Sequence, residues 1–187
     1  MRSIMRALGP GSVSSLLKAV LDVVYFILWL VGLAVGLAAI AGLLLAPFLP
    51  AAMTGESVTI NGQEYTDLAR LVPAAATGLF AVLAYVIGLI AIVGRLRRIF
   101  QTLTAGDPFQ PENVTRLRFI GAALAALLLL GYLVPVLMSL QFPDATREPD
   151  ADFTVSLTSW FAVLVVFVLA EVFREGARLR REAELTI

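Results

Sequence analysis

The chain has 187 residues, 59% of them hydrophobic, and its formal net charge is zero because 14 lysines and arginines balance 14 acidic residues. Charged residues make up 15% of the sequence, well below the ~25% of soluble domains, and a soluble fold could not bury so much apolar surface. Cysteine and histidine are absent, which excludes disulfides, thiol nucleophiles and the usual zinc or copper ligand sets.

Four apolar stretches divide the chain, each near the length of about 20 helical residues that crosses a ~30 Å hydrocarbon core. They predict membrane spans at residues 23–48, 71–94, 119–140 and 157–173. The predicted fold class is an all-α membrane protein, a four-transmembrane-helix bundle that forms a single membrane domain over residues 1–187. The first stretch is too long to be the apolar core of a cleaved signal peptide, so a retained first span is predicted.

The spans separate the basic residues unevenly. Twelve of the fourteen lysines and arginines fall on one side, and only Arg70 and Arg147 fall on the other. Basic segments near span ends resist translocation, so the side with the excess is predicted to be cytoplasmic. An even number of spans then places both termini in the cytoplasm. The predicted location is the cytoplasmic (inner) membrane, with the lipid bilayer as a partner.

At the start of the first span, Lys18 and Asp22 are four residues apart and are predicted to form an interfacial ion pair. Deeper in this span, Gly32 and Gly36 form a Gly-x-x-x-Gly pair that allows close helix approach. Small residues also recur at helical spacing in the second and third spans: Ala81, Ala84, Gly88, Ala91, Gly121 and Ala125. Packing within the bundle is the preferred interpretation, and a homo-oligomer is the alternative.

Residues 49–70 and 141–156 are the predicted extracytoplasmic segments. In the first, Asn61-Gly62 stands between alternating residues, which is the strongest short-range signal for a type I′ hairpin. Val58 would then lie opposite Tyr65. The prediction is a small extracytoplasmic β-hairpin, which either senses a stimulus or only caps the bundle.

Residues 95–118 form the predicted cytoplasmic turn. Apolar residues recur at i, i+3, i+4 and i+7 at its start and predict an amphipathic extension of the second helix. This helix is predicted to end at Thr104-Ala105-Gly106, because Asp107-Pro108 prevents further propagation. Pro111 suits the first position of the following helix. Phe109 lies between the two helices, where the sequence leaves open whether it is exposed or tucked in.

Residues 174–187 are predicted to continue the fourth span as a cytoplasmic C-terminal helix. Acidic and basic residues alternate there at helical spacing: Glu175 with Arg178, Arg178 with Glu182, and Arg180 with Glu184. The fold prediction therefore includes cytoplasmic helix extensions beyond the spans.

Two cytoplasmic patches carry a family resemblance. The run Leu103-Thr104-Ala105-Gly106-Asp107-Pro108-Phe109, with Glu112-Asn113 and Arg116-Leu117-Arg118 after it, resembles a motif of the domain of unknown function 2975 family of bacterial four-span membrane proteins. The end of the chain, from Val172-Phe173-Arg174-Glu175-Gly176 to Glu184-Leu185-Thr186-Ile187, is similar to the C-terminal signature of that family. Members are often encoded beside a small Cro/repressor-type helix-turn-helix regulator, so the resemblance implies a membrane partner of a transcription factor. It implies no catalytic residue.

The preferred functional hypothesis is a non-enzymatic membrane module that binds, tethers or senses for such a cytoplasmic regulator. The candidate partner-binding residues lie in the turn and the tail: Arg97, Arg98, Phe109, Arg116, Arg118, Arg178, Arg180 and Arg181. A competing interpretation is that these arginines only set topology and contact anionic lipid.

A small-molecule transporter or channel is the alternative function, although apart from Glu171 near the inner boundary the spans contain no charged residue that could define an ion path. An enzyme is disfavoured, because cysteine and histidine are absent, Lys18 is the only lysine, and no pair of intramembrane carboxylates is present. No cofactor, no metal and no direct nucleic-acid contact is predicted.

Overall fold

The structure is a computed structural model that describes residues 13–45, 48, 58–60, 63–65, 68–141 and 156–185. Its four long helices are α1 (Val13–Leu45), α2 (Leu68–Thr104), α3 (Pro111–Gln141) and α4 (Leu157–Leu185). Each helix is long and apolar enough to cross a membrane. The predicted all-α, four-span class of protein is therefore confirmed at this level.

The helices extend beyond the predicted spans. α2 continues past residue 94 to Thr104, and α4 continues past residue 173 to Leu185. In α4 the extension is accompanied by ion pairs at helical spacing, with Arg178 Nη2 lying 2.6 Å from Glu175 Oε1. A predicted span ends at the last residue of its apolar stretch. The helix itself continues as long as its side chains favour helical structure, here through ion pairs at helical spacing. α1 begins at Val13, before its predicted span, and ends at Leu45.

Residues 58–65 contain two short strands. β1 (Val58–Ile60) and β2 (Gln63–Tyr65) are antiparallel, with Val58 opposite Tyr65. An isolated two-stranded pairing is marginal in water. The pairing of β1 with β2 is local and does not indicate on which side of a membrane the strands lie. The predicted extracytoplasmic hairpin is therefore not supported.

The chain divides into two compact units, each described here by itself. The first comprises Met1–Leu30, Gly88–Leu127 and Ser156–Ile187, and the second comprises Val31–Ile87 and Leu128–Val155. A hydrophobic core lies in the first unit, where α2, α3 and α4 contribute its buried residues: Ile92, Ile99, Leu117, Ile120 and Ala170.

Glycines allow close helix contacts in this first unit. A Cβ at Gly88 would lie 2.6 Å from Leu127 Cδ2, and one at Gly121 would lie 3.0 Å from the Phe167 ring. The predicted packing on small residues is therefore seen at these two positions. At Gly36 of the second unit, in contrast, a Cβ would meet no described atom within 4 Å. The close helix approach predicted for Gly32 and Gly36 is therefore not seen at Gly36 among the described residues.

Candidate functional site

The turn between α2 and α3, residues 105–110, begins with a glycine-terminated helix end. Gly106 has a φ of 82°, a left-handed conformation that is free of steric cost without a Cβ. Asp107 N–H donates to Thr102 O at 3.0 Å, and Gly106 N–H donates to Leu103 O at 3.1 Å, which is the Schellman pattern. The predicted end of α2 near Gly106 and the predicted start of α3 at Pro111 are confirmed.

Asn113 stabilises this turn through the hydrogen bonds of its side chain. Its side chain is 0% exposed. Its Nδ2 donates to Thr102 Oγ1 at 2.7 Å and to Pro108 O at 2.9 Å, while its Oδ1 accepts from Arg116 Nη1 at 2.7 Å. A buried amide is stable only with such partners. Asn113 is not among the predicted site residues, and its place in the family motif was the one signal in the sequence that could have indicated it.

Phe109 docks the turn on α4. Its ring centroid lies 5.6 Å from that of Phe173, and a Cβ at Gly176 would lie only 2.5 Å from Phe109 Cδ1. Gly176 therefore provides a notch in α4 that the Phe109 ring occupies. The phenyl group remains 38% exposed. The question left open by the sequence is resolved, because Phe109 is docked and keeps one accessible edge.

Charged side chains add a second connection between the turn and α4. Arg180 Nη1 forms an ion pair with Asp107 Oδ1, and Arg180 Nε lies 3.0 Å from Glu184 Oε1. Arg118 of α3 lies 3.9 Å from Glu171 of α4. These groups are one-third to two-thirds exposed, so solvent screens each pair and its contribution to stability is small. The ion pairs therefore contribute more to the orientation of the turn than to the stability of its contact with α4.

A cavity of about 240 Å³ lies beside the docked turn. We call it the turn groove, and its lining includes Phe109, Ala177 and Arg181 together with the ion-paired Asp107, Arg180 and Glu184. Arg181 is exposed, and in the part of the chain that the structure describes no ion pair is found for it. The turn groove thus combines an aromatic edge with a guanidinium that has no described carboxylate partner.

Arg97 contacts α1 instead of the turn. Its Nε lies 2.5 Å from Asp22 Oδ1, and its guanidinium lies 4.4 Å from the centre of the Tyr25 ring. Among the described residues Asp22 pairs with Arg97 and not with Lys18, so the predicted Lys18–Asp22 pair is wrong. A planar guanidinium can satisfy a carboxylate and stack on an aromatic ring at once, which the lysine ammonium does less well.

The predicted partner-binding residues therefore separate into groups. Phe109, Arg180 and Arg181 meet at the turn groove. Arg116 lies behind the turn on Asn113, and Arg178 is held by Glu175 and Glu182 on its own helix. Arg98 is exposed on α2, and no described residue forms an ion pair with it. Within the described segments no cluster of three acidic residues could hold a metal ion.

Residues 56–187 match a protein family described as "Protein of unknown function (DUF2975)". The chain belongs to this family. The matched range includes the turn, α3 and α4, and hence the turn groove. No curated protein and no solved structure matches the chain. Four apolar helices in this DUF2975 protein indicate a multi-pass membrane protein.

Proposed function

We propose that this DUF2975 protein is a non-enzymatic integral membrane protein that binds, tethers or senses for a cytoplasmic helix-turn-helix transcription regulator. The observation that carries the proposal is the docking of the α2–α3 turn on α4, through Phe109 over Gly176 and Asp107 with Arg180. Because of these contacts the ends of two helices and the C-terminal helix form one surface. A preorganised surface binds a macromolecule with less ordering cost than separate tails would.

The turn groove supplies the chemistry of this surface. The exposed Arg181 offers a guanidinium with five N–H donors, and the Phe109 edge and Ala177 offer apolar contact. The regulator segment that fits presents a carboxylate beside an apolar side chain. Arg116, Arg118 and Arg178 are already engaged in contacts, so they support the surface and do not bind the partner directly. Arg97 is engaged with α1 and lies outside this surface.

The proposal places the turn and both termini in the cytoplasm, in the inner membrane of a bacterium. Its support is the excess of twelve of fourteen basic residues in the segments on that side. The strand pair of β1 and β2 then lies outside the cell, as a small cap or a sensing element.

Sensing requires two states with different affinity for the partner. The turn–α4 contact is the element we assign to this change, because it rests on one partly exposed ring and on exposed ion pairs. Such ion pairs are weak because solvent screens them, so the Phe109 ring in the Gly176 notch is the main contact that a change of state must release. A stimulus that shifts α4 past the turn would release Phe109 from Gly176 and reshape the turn groove.

Co-purification from membranes tests the proposal, with a helix-turn-helix regulator from the neighbourhood of this protein's gene as the expected partner. The wild-type protein should retain the regulator, and Phe109→Ala and Arg181→Gln should each reduce the retained amount at least fivefold. Arg174→Gln is the matched control, because it removes the same charge from α4 outside the turn groove, and it should bind normally. Absence of the regulator from the wild-type preparation, or equal retention by all variants, would falsify the proposal.

Sidedness is checked in the same cells with a single introduced thiol, since the chain contains no cysteine. An impermeant maleimide should label Asp107→Cys only after the inner membrane is permeabilised. Labelling of intact spheroplasts would place the turn groove outside and remove it from any cytoplasmic regulator.

A further inference from the structure

A second cavity lies where α2 leaves its apolar stretch. Its volume is about 330 Å³, far more than the ~10–15 Å³ that one water needs. Tyr25 of α1 lines it together with two kinds of α2 residue, apolar Ile90 and Ala91 at one end and Arg95, Arg97 and Arg98 at the other. No carboxylate is among the lining residues, so we call it the arginine cavity.

Positive charge in the arginine cavity is only partly compensated. Asp22 pairs with Arg97 at 2.5 Å. The Arg95 guanidinium lies 4.5 Å from the centre of the Phe119 ring, a contact that attracts the cation but does not neutralise it. Arg98 is exposed and has no ion pair among the residues that the structure describes. Two positive charges therefore remain available to an anion.

The wall of the arginine cavity is fixed before any ligand binds. A Cβ at Gly94 would lie 3.3 Å from Tyr25 Cε2, so the glycine allows the ring to lie directly against α2. The Arg97 guanidinium stacks on that ring at 4.4 Å while Asp22 holds its Nε. Tyr25 and Arg97 are thus immobilised by protein contacts, which lowers the ordering cost of ligand binding.

The position along α2 identifies the class of ligand. Residues 71–94 contain no charged side chain, and Arg95 is the first charge after them. The arginine cavity therefore runs from Ile90 and Ala91, at the edge of the hydrocarbon, to arginines at the level of the headgroups. A soluble anion would match only the arginine end. An anionic phospholipid matches both ends, and basic pockets between membrane helices are known to take such headgroups.

We propose that the arginine cavity binds the headgroup of an anionic phospholipid. Arg95 and Arg98 donate hydrogen bonds to the phosphate oxygens, in the charge-assisted geometry that guanidinium groups favour. Ile90 and Ala91 contact the glycerol and the first acyl carbons. Arg98 then contacts lipid and lies outside the regulator-binding surface.

Binding of a fluorescent short-chain phosphatidylglycerol to the purified full-length protein in detergent tests this site. Arg95→Gln and Arg98→Gln should each weaken binding about fivefold, which corresponds to the ~1 kcal/mol of one basic group at an anionic lipid surface. Arg181→Gln removes the same charge from α4, outside the arginine cavity, and should change binding less than twofold. Phosphatidylcholine should compete poorly, and so should inorganic phosphate.

An equal loss of binding in Arg181→Gln and Arg98→Gln would overturn the proposal, because net charge alone would then explain the affinity. Competition by inorganic phosphate as strong as that by phosphatidylglycerol would assign the arginine cavity to a free anion instead of a lipid. Arg98 is exposed, so Arg98→Gln should keep the wild-type unfolding midpoint and leaves the test valid if Arg95→Gln does not fold. Retention of the regulator by Arg98→Gln separates this site from the proposed function.

Discussion

The kinds of contact within each of the two compact units differ. In the first unit, polar groups and shaped aromatic contacts combine, with the fully buried Asn113 amide and the Phe109 ring over Gly176 as examples. In the second unit, the buried residues among those that the structure describes are apolar: Ala39, Ala74 and Val86. A hydrogen bond between its helices runs from Gln141 Nε2 to Thr77 Oγ1 at 2.9 Å.

This difference in contacts between the two units follows from the properties of the lipid bilayer as a solvent. Lipid tails are as apolar as leucine, so burying one apolar helix face against another gains little in a bilayer. Specific helix association there depends on close shape and on hydrogen bonds. The first unit has both, which indicates that the chain concentrates its structural specificity where α2, α3 and α4 meet the turn. Substitutions in the first unit should therefore cost more than matched substitutions in the second.

The largest expected effect is that of Asn113→Ala. It removes the buried amide that bonds Thr102 Oγ1, Pro108 O and Arg116 Nη1, and each lost hydrogen bond costs about 0.5–1.5 kcal/mol. We expect the free energy of unfolding in detergent micelles to fall by about 2–3 kcal/mol. Thr77→Val in the second unit is the control and should cost less than ~1 kcal/mol. Equal losses in both variants would remove the contrast between the units.

An intermediate effect is expected from alanine at Gly176. Alanine normally stabilises a helix relative to glycine by up to ~1 kcal/mol. At Gly176 this gain is reversed, because the new Cβ overlaps the Phe109 ring, and overpacking costs about 1–3 kcal/mol. Thermal unfolding should show Gly176→Ala destabilised and Gly131→Ala stabilised, since a Cβ at Gly131 meets no atom within 4 Å.

A double variant sharpens this comparison. In a Phe109→Ala background the ring is gone, so Gly176→Ala should become neutral or stabilising, and the two changes should be strongly non-additive. Additive effects would mean that the ring does not occupy the Gly176 notch.

The smallest effect is expected from Asp107→Asn. The variant loses the ion pair with Arg180, which keeps Glu184 as a partner, and both side chains are partly exposed. We expect the smallest loss in the free energy of unfolding among these variants, and high salt should diminish it by screening. A loss as large as that of Asn113→Ala, or one unaffected by salt, would show that the ion pair and not the buried amide holds the turn.

The sequence by itself determined the helices and the limits of the turn. Apolar length indicated four membrane-crossing helices, Gly106 marked the end of α2, and Pro111 marked the start of α3. These features were predictable because they depend on residues within one or two helical turns of each other. The ion pairs along α4 were predictable for the same reason.

Only the tertiary structure decided the candidate sites. Asp22 pairs with Arg97, a residue 75 positions away, although Lys18 is nearer in the chain. Likewise, the burial of Asn113 and the docking of Phe109 on Gly176 depend on which helix faces meet. Periodicity within the spans could not indicate those faces, because lipid and protein present similar apolar surfaces to a helix and leave its rotation unspecified. Contacts between distant polar groups and glycine notches fix that rotation, and they exist only once the helices have packed.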